Sequence, residues 1–369
     1  MTNPWYLVKD INKIDSPALI IYRERVLYNI AMALQMVGHP SRLRPHVKTH
    51  KSPQVTQLML QSGITKFKCA TIAEAEMLAQ CGAPDVLLAY QPTGPKVQRL
   101  LKLMRQYPGT HFSCLIDSED AAKTIASESL HCSLVTDVFL DINTGMNRTG
   151  MLPKNAVITY DAYTQLKGIR PVGLHGYDGH INDPDPGIRK EKADEAFDIL
   201  EKIKDTLFDK GMREPVIVVG GSPTFAIHAQ RDEVECSPGT FVYWDRSYQQ
   251  MFPDLGFLPA ALVVSRVVSL VNETRICLDL GHKSVAAENA LSRRIYFLNA
   301  RELEPVAQSE EHLVVQTNIN HTYKVGDVLY GMPVHVCPTC ALYDEAYVIE
   351  RGELKEVWKM TARDRKISI

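Results

Sequence analysis

The sequence predicts an α/β protein, in which an eight-stranded, TIM-like (β/α) barrel is followed by a mostly β domain. Short apolar runs alternate with amphipathic helical patterns through residues 23–250. This spacing indicates parallel strands, in either a doubly wound sheet or a barrel, and the number of runs favours the barrel. Over residues 251–369 the helical patterns give way to a succession of strands, which predicts a β domain.

Each predicted strand is a short run rich in apolar residues. In the first part these runs are Ala18–Tyr22, Leu43–Lys48, Lys66–Cys69, Asp85–Ala89, Ser113–Ile116, Val135–Asp141, Val172–His175, Val216–Gly220 and Glu233–Cys236. Between them, Ile72–Ala79 and Lys190–Lys210 have helical periodicity. The predicted strands of the β domain are Leu262–Leu270, Arg275–Leu280, His312–Gln316, Val325–Tyr330, Ala346–Ile349 and Leu354–Val357.

Composition excludes several classes of protein. Hydrophobic residues make up 45% of the 369 residues, which is enough for a large core and argues against disorder. A net charge of -2 argues against a nucleic-acid binder and against electrostatic attachment to a membrane. No apolar run reaches the roughly 18 residues of a membrane span. The N-terminus lacks a signal pattern, and the eight scattered cysteines indicate free thiols, so we expect a cytoplasmic protein.

The segment Arg44–Lys51 places a lysine at the end of a predicted strand, among other basic and imidazole groups. Neighbouring cations lower the preference of a lysine for its protonated form, and the neutral amine can form a Schiff base with an aldehyde. Lys48 is therefore a candidate anchor for a carbonyl cofactor. Taken alone, the same composition also describes a solvated basic loop.

Loops rich in Gly, Ser and Thr follow several of the predicted strands. They are Asp141–Gly150, His175–His180, Gly220–Thr224 and Ser237–Thr240. Their backbone N–H groups and hydroxyls suit a phosphate, although glycine also serves ordinary turns. Because the carboxyl ends of barrel strands share one face, these loops predict a phosphate-bearing ligand near Lys48.

A second candidate site lies in the β domain, at Pro333–Cys340. In an extended chain His335 and Cys337 face the same side and offer an imidazole and a thiolate to one ion. This pair suits Zn²⁺ and leaves coordination positions open, as a catalytic site requires. Two other interpretations stay open: a redox pair formed by Cys337 and Cys340, or a histidine and two cysteines buried in a core strand.

These motifs, in this order, resemble the D-threonine aldolase and D-serine dehydratase family of pyridoxal-phosphate (PLP) enzymes. The residues that carry the resemblance are Arg44–Lys51, Gly145–Gly150, Tyr177, Gly220–Thr224, Ser237–Thr240 and His335–Thr339. The resemblance covers about residues 15–369 and implies the alanine-racemase-like fold, fold type III. In that fold residues 1–22 join the β domain, and two chains form a homodimer.

The resemblance also implies roles for single residues. Lys48 matches the Schiff-base lysine, and Arg148 matches an arginine beside the cofactor. Tyr177 matches the residue near the pyridine nitrogen, where a tyrosine makes the cofactor a milder electron sink than an aspartate would. Phosphate-side donors match Ser222, Thr224, Gly239 and Thr240. The metal pair matches His335 and Cys337, for zinc or for Mn²⁺ or Mg²⁺. We interpret His46, His50 and Lys51 as tuning Lys48, and His180 as an auxiliary base.

Two lyase reactions follow from such a site. With Lys48 removing the Cα proton of a D-amino acid, a metal on the β-hydroxyl assists loss of hydroxide, which is dehydration and deamination. If the metal instead favours deprotonation of that hydroxyl, the Cα–Cβ bond breaks, which is the aldolase reaction. In the family the dehydratases tend to have His-x-Cys and the aldolases His-x-Asp. His335 and Cys337 therefore favour D-serine-like substrates, while the rest of the sequence is at least as close to the aldolases.

Two further functions stay open. A racemase needs a second base on the opposite face of the cofactor, usually a tyrosine of the β domain, and Tyr323, Tyr330 and Tyr343 are available. A non-catalytic PLP-binding protein is the other alternative, and the β domain with its predicted metal pair argues against it.

Overall fold

The computed structural model describes residues 4–369, and the chain within them forms two compact units. One, which we call the β unit, contains the described residues up to Ile30, with Thr49–Gln54 and Thr240–Arg363. The other, which we call the α/β unit, contains Ala31–Lys48, Val55–Gly239 and Asp364–Ile369.

The strands and helices are numbered in chain order. The strands are β1 (Ala18–Tyr22), β2 (Lys66–Cys69), β3 (Asp85–Leu88), β4 (His111–Ile116), β5 (Thr136–Ile142), β6 (Ile169–Gly176), β7 (Val216–Val219), β8 (Val234–Cys236), β9 (Ala261–Asn272), β10 (Arg275–Leu278), β11 (Ile295–Phe297), β12 (Glu304–Gln308), β13 (Leu313–Gln316), β14 (Val328–Pro333), β15 (Glu345–Glu350) and β16 (Glu353–Lys359). The α-helices are α1 (Arg23–Val37), α2 (Pro53–Gln61), α3 (Ile72–Gln80), α4 (Pro95–Gln106), α5 (Glu119–His131), α6 (Pro153–Thr164), α7 (Pro186–Asp209), α8 (Phe225–His228), α9 (Arg246–Met251) and α10 (Val336–Cys340).

Strands β2 to β8 form one parallel sheet in chain order, which confirms the predicted α/β architecture of this part. A parallel connection needs a crossover, and helices α3 to α8 provide it between successive strands. The strands are short and almost wholly buried, as expected of a parallel sheet that is covered on both faces. Their carboxyl ends share one edge and so bring together the loops that follow them.

The sheet has seven regular strands, and the prediction of eight was wrong at Leu43–Lys48. This segment makes only isolated bridges, one between Leu43 and Cys236 and one between His46 and Lys68. Pro45 has no N–H group to donate to a neighbouring strand, so a continuous ladder cannot form there. The parallel sheet is therefore not closed by a regular eighth strand.

Side-chain caps mark where several helices begin. The hydroxyl of Thr71 accepts from the backbone N–H of Glu74 at the start of α3. Asp185 accepts from the N–H of Ile188 at the start of α7. Such caps satisfy N–H groups that the helix itself leaves without partners. Among residues 4–369, no helix is both long enough and apolar enough to cross a membrane.

The β unit contains a nine-stranded sheet built around the long strand β9. Strand β9 pairs with β1, β10 and β14, and β15 and β16 extend the sheet beyond β1. The first extended run, β1, thus pairs with strands of the β unit. Two strands were missed, β11 because it is very short and β12 because it contains Pro305 and is mostly exposed.

Candidate functional site

One candidate site lies in the α/β unit, around the ring of Tyr177. Nζ of Lys48 is 5.9 Å from the ring centroid, and the guanidinium carbon of Arg148 is 4.9 Å from it. Tyr177 directly follows β6, and Arg148 lies in the loop after β5, so parallel strands place them at one edge. Lys48, Arg148 and Tyr177, which the sequence analysis singled out separately, thus lie together.

The predicted phosphate loops lie in the same unit. The backbone N–H of Gly239 donates to the hydroxyl of Ser222 over 3.2 Å, which joins the loops that follow β7 and β8. Thr224 is fully buried, and its hydroxyl donates to Asp178 over 2.9 Å. Its hydroxyl hydrogen is therefore already bonded within the protein, which does not fit the predicted role of a hydroxyl donor to phosphate.

Two glycines lie against the ring of Tyr177. A Cβ atom at Gly179 would lie 2.3 Å from a ring carbon of Tyr177, and one at Gly221 would lie 3.1 Å from another. Only glycine allows the backbone to approach the ring this closely. A lysine amine, an arginine and a hydroxyl beside glycine-rich backbone are the groups that an anionic aldehyde such as PLP requires, so the residues present fit it.

His180 is exposed, and its ring packs on the loop that contains Arg148. A Cβ at Gly145 would lie 2.7 Å from Nε2 of His180, so this contact requires a glycine. The predicted role of His180 as an auxiliary base stays a prediction.

Three buried residues of the α/β unit form a chain of hydrogen bonds that sequence reasoning missed. Nζ of Lys68 is 3.4 Å from Nε2 of His175, and Nδ1 of His175 is 2.7 Å from Oδ1 of Asp141. Nζ of Lys68 is also 5.8 Å from the centroid of the Tyr177 ring. Burial and the charge of Lys48 lower the pKa of Lys68 to about 7. The sequence signal that could have identified Lys68 is a lysine within a short buried strand.

Another candidate site lies in the β unit, where His335 and Cys337 share a hydrogen bond. Nδ1 of His335 is 2.6 Å from Oε1 of Glu288, another residue that the sequence analysis missed. Sγ of Cys337 is 3.1 Å from the hydroxyl of Thr49 and 3.4 Å from that of Thr240. The predicted metal pair therefore lies together, surrounded by two hydroxyls and a carboxylate.

His335 has extended backbone but Cys337 is helical, so the argument from strand alternation was wrong. Strand β14 ends at Pro333, and Cys337 lies in the first turn of α10, for which His335 is the N-cap. Asp245 accepts a hydrogen bond from the N–H of Val336 over 3.1 Å, which satisfies one of the N–H groups that a helix start leaves open. The side chains of His335 and Cys337 meet because of this turn.

The charge of His335 favours the thiolate form of Cys337, which is the form that binds a metal. Burial works to raise the pKa of Cys337, but the hydrogen bond and the charge of His335 outweigh it, so this pKa is lowered. Burial works against protonation of His335, yet Cys337 and Glu288 raise its pKa to about 9. A metal ion would replace the proton that the imidazole and the thiolate share.

Imidazole and thiolate donors fit a divalent metal of the zinc class. With Nδ1 bonded to Glu288, Nε2 is the nitrogen that remains for a metal, and a carboxylate behind a ligating histidine is the usual arrangement. Within residues 4–369, no group of three or more His, Cys, Asp or Glu residues is placed to hold a metal ion. Metal identity stays a prediction.

The C-x-x-C pair does not form a disulfide, and its two thiols differ in environment. All eight cysteines are free. Burial raises the pKa of Cys340 well above its usual value, while that of Cys337 is lowered. A thiol with a raised pKa is a poor nucleophile, so Cys340 is unsuited to redox exchange.

The other residues of the Arg44–Lys51 segment have structural partners. Arg44 is buried between Glu235 and Asp85, at 2.6 Å and 2.5 Å. His50 is buried in the β unit, and desolvation lowers its pKa to about 3, so it is neutral and does not add a positive charge. Nδ1 of His46 accepts from the backbone N–H of Lys48 over 3.3 Å.

Comparisons with known proteins find relatives that match nearly the whole chain. Residues 21–247 match the family model described as the alanine racemase N-terminal domain, and residues 260–349 match the putative serine dehydratase domain. The 3-hydroxy-D-aspartate aldolase of Paracoccus denitrificans (strain Pd 1222) is 26% identical over 371 residues, covering 96% of this chain and 94% of that protein.

Two further proteins extend the comparison. The D-threo-3-hydroxyaspartate dehydratase of Delftia sp. (strain HT23) is 28% identical over 374 residues, covering 94% of this chain and 97% of that protein. The crystal structure of D-threonine aldolase from Filomicrobium marinum superposes with a TM-score of 0.88 at 26% identity, covering 98% of this chain and 99% of that one. The resemblance found in the sequence is thereby confirmed, and the chain belongs to the alanine racemase N-terminal domain family, in the branch that contains the D-threonine aldolases and D-serine dehydratases.

Proposed function

We propose that the protein is a PLP- and metal-dependent lyase that acts on D-amino acids with a β-hydroxyl. The observation that carries this proposal is the pairing of His335 with Cys337, backed by Glu288, in a chain whose Lys48 faces Tyr177 and Arg148. Named relatives support it, because they include both an aldolase and a dehydratase of β-hydroxy D-amino acids.

When bound, PLP supplies an electron sink for negative charge at Cα. Lys48 is the residue proposed to hold it and, once released, to take the Cα proton from one face of the substrate. Arg148, whose guanidinium carbon is 4.9 Å from the centroid of the Tyr177 ring, would supply positive charge for the anionic cofactor. We expect the phosphate to bind at the loops that follow β7 and β8, which the hydrogen bond from the N–H of Gly239 to the hydroxyl of Ser222 joins.

A divalent metal supplies Lewis-acid chemistry at the β-hydroxyl. His335 would hold it through Nε2, since Glu288 fixes the other ring nitrogen, and Cys337 would hold it as a thiolate. Thr49 and Thr240 stabilise that thiolate, because their hydroxyls can donate to sulfur. Among family members this thiolate pair is typical of dehydratases, so we favour dehydration and deamination of D-serine-like substrates.

The second candidate is a D-threonine aldolase, which would cleave the substrate to glycine and an aldehyde. It is favoured by the fold comparison, in which the aldolase of Filomicrobium marinum covers 98% of the chain at a TM-score of 0.88. Both reactions begin from the same site residues and differ in which bond at Cβ breaks.

Product analysis tests the proposal. The purified protein, supplied with PLP and Zn²⁺ or Mn²⁺, is incubated with D-serine, D-threonine and D-threo-3-hydroxyaspartate. A 2-oxo acid plus ammonia indicates the dehydratase, glycine plus an aldehyde indicates the aldolase, and the L-enantiomer indicates a racemase. Binding of PLP without any product from these substrates would contradict the proposal, and the L-enantiomers of the substrates serve as controls.

A further inference from the structure

A buried carboxylate that the proposed function does not use lies directly after Tyr177. Asp178 is 2% exposed, and its two oxygens bond to two different residues. Oδ1 accepts from the hydroxyl of Thr224 over 2.9 Å, and Oδ2 is 2.7 Å from Nε2 of His228. Both partners are fully buried. Burying a carboxylate is costly unless its oxygens are hydrogen-bonded, so its presence here requires a physical explanation.

The direction of these hydrogen bonds follows from the donors and acceptors. A carboxylate can only accept, so Nε2 of His228 carries the hydrogen that goes to Asp178. Nδ1 of the same ring accepts from Nε of Arg231 over 3.2 Å, because an arginine can only donate. The hydroxyl of Thr224 accepts from the backbone N–H of Gly221 over 3.3 Å and gives its own hydrogen to Asp178. Asp178 is therefore the common acceptor of two chains of donors.

These bonds join the loops that follow β6 and β7. Asp178 lies in the first loop, and Thr224 is the last residue of the second, Gly220–Thr224, which we call the β7 loop. Gly220 has a left-handed backbone (φ +83°), and a Cβ atom there would lie 2.8 Å from Cδ2 of His228. Only glycine combines that backbone conformation with so close an approach. The β7 loop is therefore held at both ends, at one by a hydroxyl and at the other by contact with the imidazole.

The β7 loop is one of the two loops at which we expect the phosphate of PLP to bind. Its Ser222 is joined to Gly239 of the next loop. A phosphate site needs donors held in fixed directions, and a buried hydrogen bond behind the loop can hold them without touching the anion. The hydroxyl hydrogen of Thr224 is used in this way, because it goes to Asp178.

We propose that Asp178 is a positioning residue for the cofactor phosphate: through Thr224 and His228 it fixes the β7 loop in the conformation that binds the anion. Asp178 itself does not contact the ligand. The inference rests on the proposed function only in taking PLP as the ligand of this loop. A carboxylate that acted through its charge alone would repel a phosphate, so its removal would tighten binding. Loss of positioning weakens binding, which is the opposite sign.

Binding of pyridoxine phosphate and of pyridoxine to the full-length protein tests the proposal. The two compounds differ only in the phosphate, and neither has the aldehyde that a lysine would attack. Bound cofactor is first removed with hydroxylamine, and dissociation constants are measured by calorimetry. In Asp178→Asn the constant for pyridoxine phosphate should rise about tenfold or more, because the amide N–H of asparagine then faces the N–H of His228. The constant for pyridoxine should not change.

Thr224 provides a matched pair of variants for the same hydrogen bond. Thr224→Val removes the hydroxyl at nearly the same shape and should weaken binding of pyridoxine phosphate, whereas Thr224→Ser keeps the hydroxyl and should bind as the wild type does. If Thr224 donated directly to the phosphate, Asp178→Asn would not weaken binding. Circular dichroism shows whether Asp178→Asn is folded. If it is not, His228→Leu replaces it, because it removes the other donor to Asp178 and leaves Thr224 intact.

Asp161→Asn is the control for the loss of one carboxylate in the same unit. Asp161 is exposed on α6, so this variant should bind both compounds as the wild type does. Unchanged or tighter binding of pyridoxine phosphate by Asp178→Asn, or by His228→Leu in its place, would overturn the proposal. Equal weakening for both compounds would overturn it as well, and so would a wild type that does not prefer the phosphorylated compound.

The outcome is separate from that of the proposed function. If the wild type prefers pyridoxine phosphate and Asp178→Asn loses the preference, but product analysis finds no lyase reaction, the proposed function fails and this inference stands. If the wild type is a lyase and Asp178→Asn keeps the preference, the inference fails and the proposed function stands.

Discussion

Oε1 of Glu288 lies 2.6 Å from Nδ1 of His335, on the side of the imidazole away from its second nitrogen. The carboxylate fixes the ring orientation and the tautomer, so that Nε2 is the nitrogen available to a metal. Glu288 is about half exposed, and its effect on a metal depends on this one hydrogen bond. A residue far from the motif in sequence therefore completes the predicted metal pair.

Glu288→Gln should weaken metal binding while leaving the fold intact. A neutral amide holds the imidazole less strongly and adds no negative charge, so we expect a 10- to 100-fold loss of affinity. Zn²⁺ titration by calorimetry on the chelator-treated protein measures it. Glu310→Gln, at an exposed carboxylate of the same unit that pairs with Lys283, is the matched control. Equal affinities of Glu288→Gln and wild type would remove Glu288 from the site.

Lys48→Ala should abolish the visible absorbance that PLP gives when it is bonded to a protein amine, together with turnover. The reason is that the amine beside Tyr177 is then missing, 5.9 Å from the ring in the wild type. An absorbance titration with PLP checks this, and Lys102→Ala, on the exposed face of α4, is the control. Persistence of the band in Lys48→Ala would mean that another lysine is the anchor.

The grouping of Lys48, Arg148 and Tyr177 could be predicted because each lies at the end of a predicted parallel strand or in the loop that follows one. That rule needs only the order of strands and the fact that their carboxyl ends share one edge. The proximity of His335 and Cys337 could also be predicted, although the predicted cause, an extended chain, was wrong. A turn of helix places them together, and residue type alone did not distinguish it from an extended chain.

Lys68 could not be predicted, because alternation in a strand usually assigns polar residues to solvent. In Lys66–Cys69 the lysines alternate with Phe67 and Cys69, which is typical of a sheet with one exposed face. The parallel sheet is covered on both faces, so Lys68 is buried with His175 as its partner. Such a pairing across strands is a tertiary property that a single sequence does not encode locally.

Arg44→Met should destabilise the α/β unit by about 3 kcal/mol, the lower end of the loss for a broken buried ion pair, because Lys66 still pairs with Glu235 and His111 with Asp85. Arg44 lies 2.6 Å from Glu235 and 2.5 Å from Asp85, and it is 2% exposed. Urea unfolding at neutral pH measures the loss. Arg105→Met, at an exposed position of α4, should change stability by less than about 0.5 kcal/mol. A similarly small loss for Arg44→Met would show that the buried pairs are not required.

Because of His50, the free energy of unfolding of the β unit should decrease as the pH is lowered. Its folded pKa is lowered to about 3 by burial, whereas an unfolded histidine has a pKa of about 6.5. Its contribution is therefore fully present above pH of about 6.5 and is lost as the pH falls towards 3, because only the unfolded chain takes up the proton in that window. The loss approaches about 1.4 kcal/mol per pH unit within the window.

His50→Asn tests this dependence directly, because an asparagine oxygen can still accept from the N–H of Ser52 but does not titrate. In the wild type that N–H donates to Nδ1 of His50 over 3.1 Å. Urea unfolding across the acid range should give a shallower dependence on pH in His50→Asn than in wild type. His312→Asn, at an exposed position of the β unit, is the control and should retain the wild-type dependence on pH. The reason is that burial causes the lowered pKa of His50. Parallel curves for wild type and His50→Asn would mean that His50 is protonated without unfolding.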